Sequence, residues 1–371
     1  MAIVVYNGQL NQNEIYAAQF NQIISQLTFG DMIKGPMFEL VNQARVDGSM
    51  YGDTKTYNST NISTTSEWGN DAEATKLLEI DRQEDVSTQA ISLDVFRQIR
   101  LTVDNYLSKR AFMDEGAFQQ FQSVLLGTIK DTRDVYDATT YNAYIGTHKS
   151  DIPAQNINVD LTAATEGLTG EEKARVRVQT VAKAIADVQS KLEYLDTEMT
   201  NQYGYERARD MNDFMVVWNA DYVNEFTKVG VPYNSSFHPD VSGAIPSFGK
   251  YKLPSFCFGD INTTKKTGDG STIYSLKEQV VSKSDGSTPS HVWATQAIPN
   301  GLDAPANTSY TVNKKVICKI YKKGAVPYMS AFETATDFFN PRSLTETHYL
   351  TFGRNTLEAL YESPYITLTE V

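Results

Sequence analysis

Over residues 91–103, apolar and polar side chains alternate. Ile91, Leu93, Val95, Ile99, Leu101 and Val103 fall on one face, with Arg97 as its exception. Ser92, Asp94, Gln98, Arg100 and Thr102 fall on the other, with Phe96 as its exception. A period of two marks a half-buried β-strand. Thirteen residues at about 3.3 Å each would reach about 43 Å, whereas an average strand has only about 5–6 residues. The stretch before it, residues 47–75, is nearly free of aliphatic side chains and carries Tyr51, Tyr57 and Trp68 as its large apolar groups. Such a segment cannot build a core of its own. A polar strand near residues 50–60, paired with the long one, describes a hairpin projecting from the body of the protein.

The body has its own signals. Residues 14–29 place Tyr16, Phe20, Ile23, Ile24 and Leu27 on one helical face, and Gly30 ends the pattern. This is an amphipathic N-terminal arm that must dock on something. After Asp104, Leu107, Ala111 and Phe112 form a first helical piece. Gly116 interrupts, and Phe118, Phe121, Val124, Leu125 and Ile129 resume the stripe toward Ile145 and Gly146. Residues 147–170 read as loop. A second long helix is expected over residues 171–201, where Val178, Val181, Ala182, Ile185, Val188, Leu192, Leu195 and Met199 step by three and four. Phe214, Met215, Val216, Val217 and Trp218 then form a buried strand. Asn219, Ala220 and Asp221 turn the chain into a helix carrying Tyr222, Val223 and Phe226, and Asn219 or Asp221 is expected to cap it. From residue 230 to 313 the chain turns often, with short β-prone runs such as 255–258 and 291–295. Further strands are expected at 314–321, 345–352 and 365–371.

The 371 residues leave room for about two or three domains or lobes. A net charge of −12 repels nucleic acid in general, although a local basic patch can still bind it. Cys257 and Cys318 show no repeated spacing, so no disulfide framework is expected, while one isolated bridge between them stays open. The first residues lack a basic region and a long apolar run, so no signal peptide is expected, and no window approaches a membrane span. The five Asn-x-Ser/Thr triplets are read as chance in an Asn- and Thr-rich chain.

Chemical motifs are sparse. No phosphate-binding glycine loop, nucleophile elbow or zinc-type histidine spacing occurs, and His148, His238, His291 and His348 are far apart. His238-Pro239-Asp240 is read as a structural turn. Lys314, Lys315, Lys319, Lys322 and Lys323 read as a solvated strand edge guarded by lysines. Residues 205–213, mixed in charge, also read as solvated. No catalytic, cofactor-binding or metal residue is assigned.

The order of parts resembles a known family. It runs through an amphipathic arm, a polar hairpin, an interrupted helix ending in TTYNAYIG, a second long helix, FMVVWNADYVNEF, a turn-rich β segment and a terminal β return. This is similar to the Hong Kong 97-type major capsid protein of tailed bacteriophages. The resemblance implies an α+β fold with an N-terminal arm (1–46), an E-loop hairpin (47–103), a P-domain with a long spine helix (104–170), an A-domain (171–340) and C-terminal strands returning to the P-domain (341–371). It implies a shell protein that assembles with copies of itself in hexamers and pentamers around double-stranded DNA. A separate scaffolding protein and a portal are implied as partners, with weak non-specific DNA contact, no cofactor and no membrane. The location implied is the virion head, assembled in the host cytoplasm. Tyr16, Phe20, Ile23, Ile24, Leu27, Tyr57 and Trp68 are the candidate inter-subunit contacts. Lys55 and Lys76 lie in or near the hairpin, and no crosslink is assigned to either. Two other readings stand beside it: an α/β enzyme with a site at the turn after Trp218, using His238 or Asp240, and a tail or other virion structural protein.

Overall fold

The computed structural model describes residues 38–47, 54–63, 86–104, 115–146, 156–195, 203–228, 250–261, 264–266, 272–276, 281–282, 289–290 and 310–371. In chain order the main elements are α1 (Glu39–Ala44), β1 (Arg45–Asp47), β2 (Thr54–Thr60), β3 (Val86–Asp104), α2 (Glu115–Ile145), β4 (Asn156–Val159), α3 (Leu161–Ala164) and α4 (Gly170–Glu193). They continue with β5 (Phe214–Asn219), α5 (Ala220–Lys228), β6 (Tyr251–Leu253), β7 (Val316–Lys322), β8 (Tyr328–Asn340), β9 (Thr345–Asn355) and β10 (Tyr365–Glu370). Two five-stranded sheets carry them, one ordered β4-β10-β7-β5-β6 and the other β1-β8-β9-β3-β2.

The first sheet is mixed. β7 runs antiparallel to both β10 and β5, while β4 and β6 add parallel strands at the edges. β5 and β7 are nearly continuous apolar runs, buried along their length, because both faces of the sheet are covered there. Phe214, Val216 and Trp218 enter one core with α4 and α5, through Val181, Ile185, Val188, Leu192, Tyr222 and Val223. Met215 and Val217 point the other way, into a core with Tyr141, Tyr144 and Ile145 at the end of α2. The expected buried strand is therefore a partition between two cores. Asn219 caps α5: its Oδ1 accepts the Asp221 N–H at 3.1 Å, and its Nδ2 donates to the Val316 carbonyl at 2.9 Å.

The long alternating strand is longer than expected. β3 has 19 residues, about 63 Å of chain. Its first part pairs antiparallel with β2, from Thr54↔Ser92 to Thr60↔Val86, and the rest pairs with β9, from Leu93↔Asn355 to Asp104↔Thr345. One strand thus links a two-stranded ribbon to a broader sheet. α2 runs unbroken through Gly116, so that glycine does not interrupt it within the described residues. The earlier piece, with Leu107, Ala111 and Phe112, lies outside them, as do the arm helix at 14–29, the hairpin tip from 64 to 85 and the run at 291–295. α2 ends at Gly146, where a Cβ would lie 1.8 Å from the Cys257 carbonyl oxygen, so only glycine fits.

Several expectations are corrected. α4 stops at Glu193 rather than Asn201, because the Leu192 carbonyl accepts the Arg209 N–H at 2.8 Å and Tyr194 turns extended; Leu195 is left exposed. Residues 147–170 are not all loop: Ile157 and Val159 belong to β4, and Asp160 Oδ1 caps α3 through the Ala163 N–H at 2.8 Å. Ser255–Cys257 is a single 3-10 turn after Pro254, not a strand. The lysine run is not an edge, since β7 lies between β10 and β5 and Lys319 is buried. Its Nζ donates to Thr367 Oγ1 at 2.6 Å and sits 4.5 Å over the Tyr365 ring. Residues 205–213 are not simply solvated either. Tyr205 is buried, and Arg207 and Arg209 are half-buried on the same side of an extended segment. Both cysteines are free thiols; burial pushes Cys257 up to about 12 and raises Cys318 further.

The terminal return is divided between the sheets. β9 joins β8 and β3, but β10 lies in the sheet that holds β5, and the turn between β8 and β9 spans the expected boundary at 340/341. At the end of β10, Glu370 binds α4 and α5 together. Arg177 reaches Glu370 at 3.0 Å and Glu225 at 2.8 Å, and Tyr222 donates to Glu370. Burial raises the Glu370 carboxyl, but the Arg177 and Tyr222 hydrogen bonds outweigh it and hold the group below its usual value of 4.5. A depressed folded-state value contributes stability above the unfolded value that is lost as pH falls through the folded one. Glu370→Gln is therefore expected to destabilise the chain at pH 7 and to converge with the parent in acid. Denaturant midpoints measured from pH 7 down to pH 3 check this, and a pH-independent gap between the two chains would contradict it.

Candidate assembly surface

Of the candidate contacts read from sequence, Tyr57 alone lies within the described residues. Tyr16, Phe20, Ile23, Ile24, Leu27 and Trp68 lie outside them. Tyr57 is half-buried by its own chain, paired across the ribbon with Gln89, and burial raises its hydroxyl pKa.

The described part of the ribbon does not stand free of the body. Arg207 donates to Ser59 Oγ at 3.3 Å and to the Thr60 carbonyl, and the Glu206 N–H donates to Asn61 Oδ1 at 3.2 Å. Ser87 Oγ and Tyr205 OH lie 2.7 Å apart. Gln89, two residues on and on the same face, donates to the Ala359 carbonyl at 3.3 Å and accepts the Tyr361 N–H at 2.9 Å. Tyr203 stacks on Tyr205 and meets Tyr361 edge-on. These bonds hold the ribbon where it leaves the second sheet. Beyond them, Ile62 and Val86 are 50% and 56% exposed at its outer end.

A second apolar display lies apart from the contacts expected from sequence. Phe338, Phe339 and Leu344 are 60%, 51% and 43% exposed around the turn joining β8 to β9. Adjacent strand residues point to opposite faces, so Phe338 and Phe339 can both be bare only where neither face of the hairpin is covered. Leu344 takes a left-handed backbone, φ 56°. That conformation costs a non-glycine residue about 1–2 kcal/mol, and a glycine would fit the turn without it. The turn is otherwise well made, with the Arg342 N–H donating to Asn340 Oδ1 at 3.0 Å and Ser343 and Thr345 hydroxyls 2.7 Å apart. The sequence signal was present as the doublet Phe338-Phe339 before Asn340-Pro341, an aromatic pair that no period-two pattern can bury.

In the turn after Trp218, the Asn219 side chain is engaged in the fold itself. Trp218 is buried, and both ends of the Asn219 amide bond to the backbone. His238 and Asp240 lie outside the described residues, as do His148 and His291. Among the described residues, no helix is long and apolar enough to cross a membrane.

No protein-family model matches the sequence, and no curated protein matches it. Solved structures do match in fold. One is from the structure described as head fiber and inner core protein gp22 of native bacteriophage P68, with a TM-score of 0.61, 11% identity, and coverage of 94% of this chain and 88% of that one. Another is from the capsid structure of Staphylococcus phage Andhra, with a TM-score of 0.60, 11% identity, and coverage of 95% and 90%. The chain has a mixed α+β fold that resembles the Hong Kong 97-like capsid proteins.

Proposed function

We propose that this chain is the major capsid protein of a tailed bacteriophage, assembling into the icosahedral head shell around a double-stranded DNA genome. The observation that supports this most is the likeness in fold over 94–95% of the chain to proteins of phage particles. On this reading residues 1–46 are the N-terminal arm, 47–103 the E-loop and 104–170 the P-domain, with α2 as its spine. Residues 171–340 are the A-domain, built on the sheet that β10 completes. Its partners are copies of itself in hexamers and pentamers, a scaffolding protein and a portal, with weak non-specific contact to the packaged DNA. Its place is the virion head, assembled in the host cytoplasm.

The reading also names contacts between subunits. Tyr16, Phe20, Ile23, Ile24, Leu27, Tyr57 and Trp68 are proposed contacts of the arm and E-loop. The bare Phe338, Phe339 and Leu344 extend the set to the β8–β9 turn, where a strained leucine in place of a glycine supports a role outside the subunit's own fold.

The test is to express the chain with and without a scaffolding protein, and to compare it with Phe338→Ser/Phe339→Ser. The parent is expected to form closed shells in negative-stain images. The double variant should unfold at an unchanged denaturant midpoint, because both side chains are exposed, and should lose most of its particles. A parent that stays monomeric under all conditions would sink the capsid reading. A double variant that assembles normally would remove this turn from the interface.

A further inference from the structure

We propose that Asp337, Glu346 and His348, near the end of the β8–β9 hairpin, form a binding site for a divalent transition-metal cation of the zinc class. The register carries the three together. Asp337 on β8 lies directly opposite His348 on β9, and Glu346 is two residues from His348, hence on the same face of the strand. His348 Nδ1 lies 2.6 Å from Asp337 Oδ1. One ligand atom from each of the three residues falls within 4.8 Å of the others.

Tetrahedral zinc bonds of about 2.0–2.2 Å to a ring nitrogen and to carboxylate oxygens place neighbouring donors about 3.3–3.6 Å apart. The Asp337–His348 pair opens from 2.6 Å to that spacing, and the Glu346 side chain closes by rotation. The donor set of one imidazole and two carboxylates suits a borderline cation. Calcium and magnesium favour all-oxygen shells, and copper(I) favours sulfur. The side chain of Asp337 is 62% exposed and that of His348 only 12%. One side of the site is therefore open to water as a further ligand, while the ring is held from behind.

His348 Nε2 is shielded from solvent and has no hydrogen-bond partner among the described residues. No partner on that side fixes the tautomer of the ring. Nδ1, the nitrogen that faces Asp337, can therefore offer its lone pair to a cation held by the two carboxylates, in place of the hydrogen bond to Asp337. The cation then ties β8 to β9 beside Phe338 and Phe339, at the turn proposed above as an interface. The site itself does not depend on that proposal.

The experiment is a calorimetric titration of the full chain with zinc chloride at pH 7, repeated with cobalt(II) to read ligand-field absorption. His348→Ala and Glu346→Gln are titrated alongside, and circular dichroism checks that each is folded. The parent is expected to take up one zinc per chain at this site and to gain thermal stability from it. Glu346→Gln should bind at least about tenfold more weakly, since even groups one shell further out cost that much. His348→Ala should lose the site. A parent without saturable zinc binding, or either variant binding as the parent does, would overturn the proposal.

Discussion

Trp218→Ala is expected to destabilise the folded chain by about 3–5 kcal/mol. The ring is fully buried on the face of β5 that meets α4 and α5. Its partners there include Val216 and Phe214 on the same strand and Tyr222, Val223 and Phe226 on the helix it leads into. All are fixed by backbone pairing or helix geometry, so the cavity has little freedom to collapse. Asn219→Ala, one residue on, should cost about 1 kcal/mol for the cap alone. The two changes act on the same strand end, so their effects are not expected to add. Urea denaturation of the unassembled chain measures both. A Trp218→Ala loss under 1 kcal/mol would mean that β5 does not separate two cores as described. On the proposed function, particle yield falls with subunit stability.

Much of this core was legible because its signals are local. The run Phe214 to Trp218 and the alternation from Ile91 to Val103 each state the chemistry of a strand in consecutive residues. α4 was legible to Leu192, but its end was set by Arg209, whose N–H takes the carbonyl that the next helical turn would use. The place of Lys319 is hidden from sequence for the same kind of reason. A lysine in a β pattern suggests an edge, and only the pairing with β10 supplies Thr367 and Tyr365 to hold it inside. The polar-looking end of α2 hid the most. Thr140, Tyr141, Asn142 and Tyr144 are all buried, which no helical stripe of aliphatics would announce. Among surface features, the Asp337–Glu346–His348 cluster depends on a strand register that sequence spacing does not give. The Phe338-Phe339 doublet, by contrast, is a local signal of two adjacent aromatics that one covered face cannot bury.

Asp137→Ala is expected to cost as much as Trp218→Ala, about 3–5 kcal/mol, through charge and hydrogen bonding rather than volume. Asp137 lies on α2 with its side chain 1% exposed. Its Oδ1 accepts the Tyr328 hydroxyl at 2.5 Å, and its Oδ2 faces Arg45 at 3.3 Å and Arg133 at 3.8 Å. Arg354, also buried, donates to the Tyr136 hydroxyl at 2.8 Å and to the Asn355 carbonyl at 3.0 Å. This network joins α2 to β1, β8 and β9, so it fixes the helix on the second sheet. Removing Asp137 leaves the buried Tyr328 hydroxyl without its acceptor and the surrounding guanidinium groups without their carboxylate. Asp137→Asn separates the two causes, because it keeps an acceptor oxygen and discards the charge. Burial raises the Asp137 carboxyl above its usual 3.8, against the pull of the Tyr328 hydrogen bond and of Arg133, Arg45 and Arg354. A raised folded-state value means that the protonated form favours folding. That contribution is complete below the unfolded value and is lost as pH rises through the folded one. Asp137→Asn, neutral throughout, should therefore cost less than Asp137→Ala. It should also gain on the parent as pH climbs from 3 to 7. Denaturation of the three chains across that range decides the matter. If Asp137→Asn matches Asp137→Ala at every pH, the carboxylate charge holds the helix to the sheet. If Asp137→Ala costs under 1 kcal/mol, the network is not what holds them together.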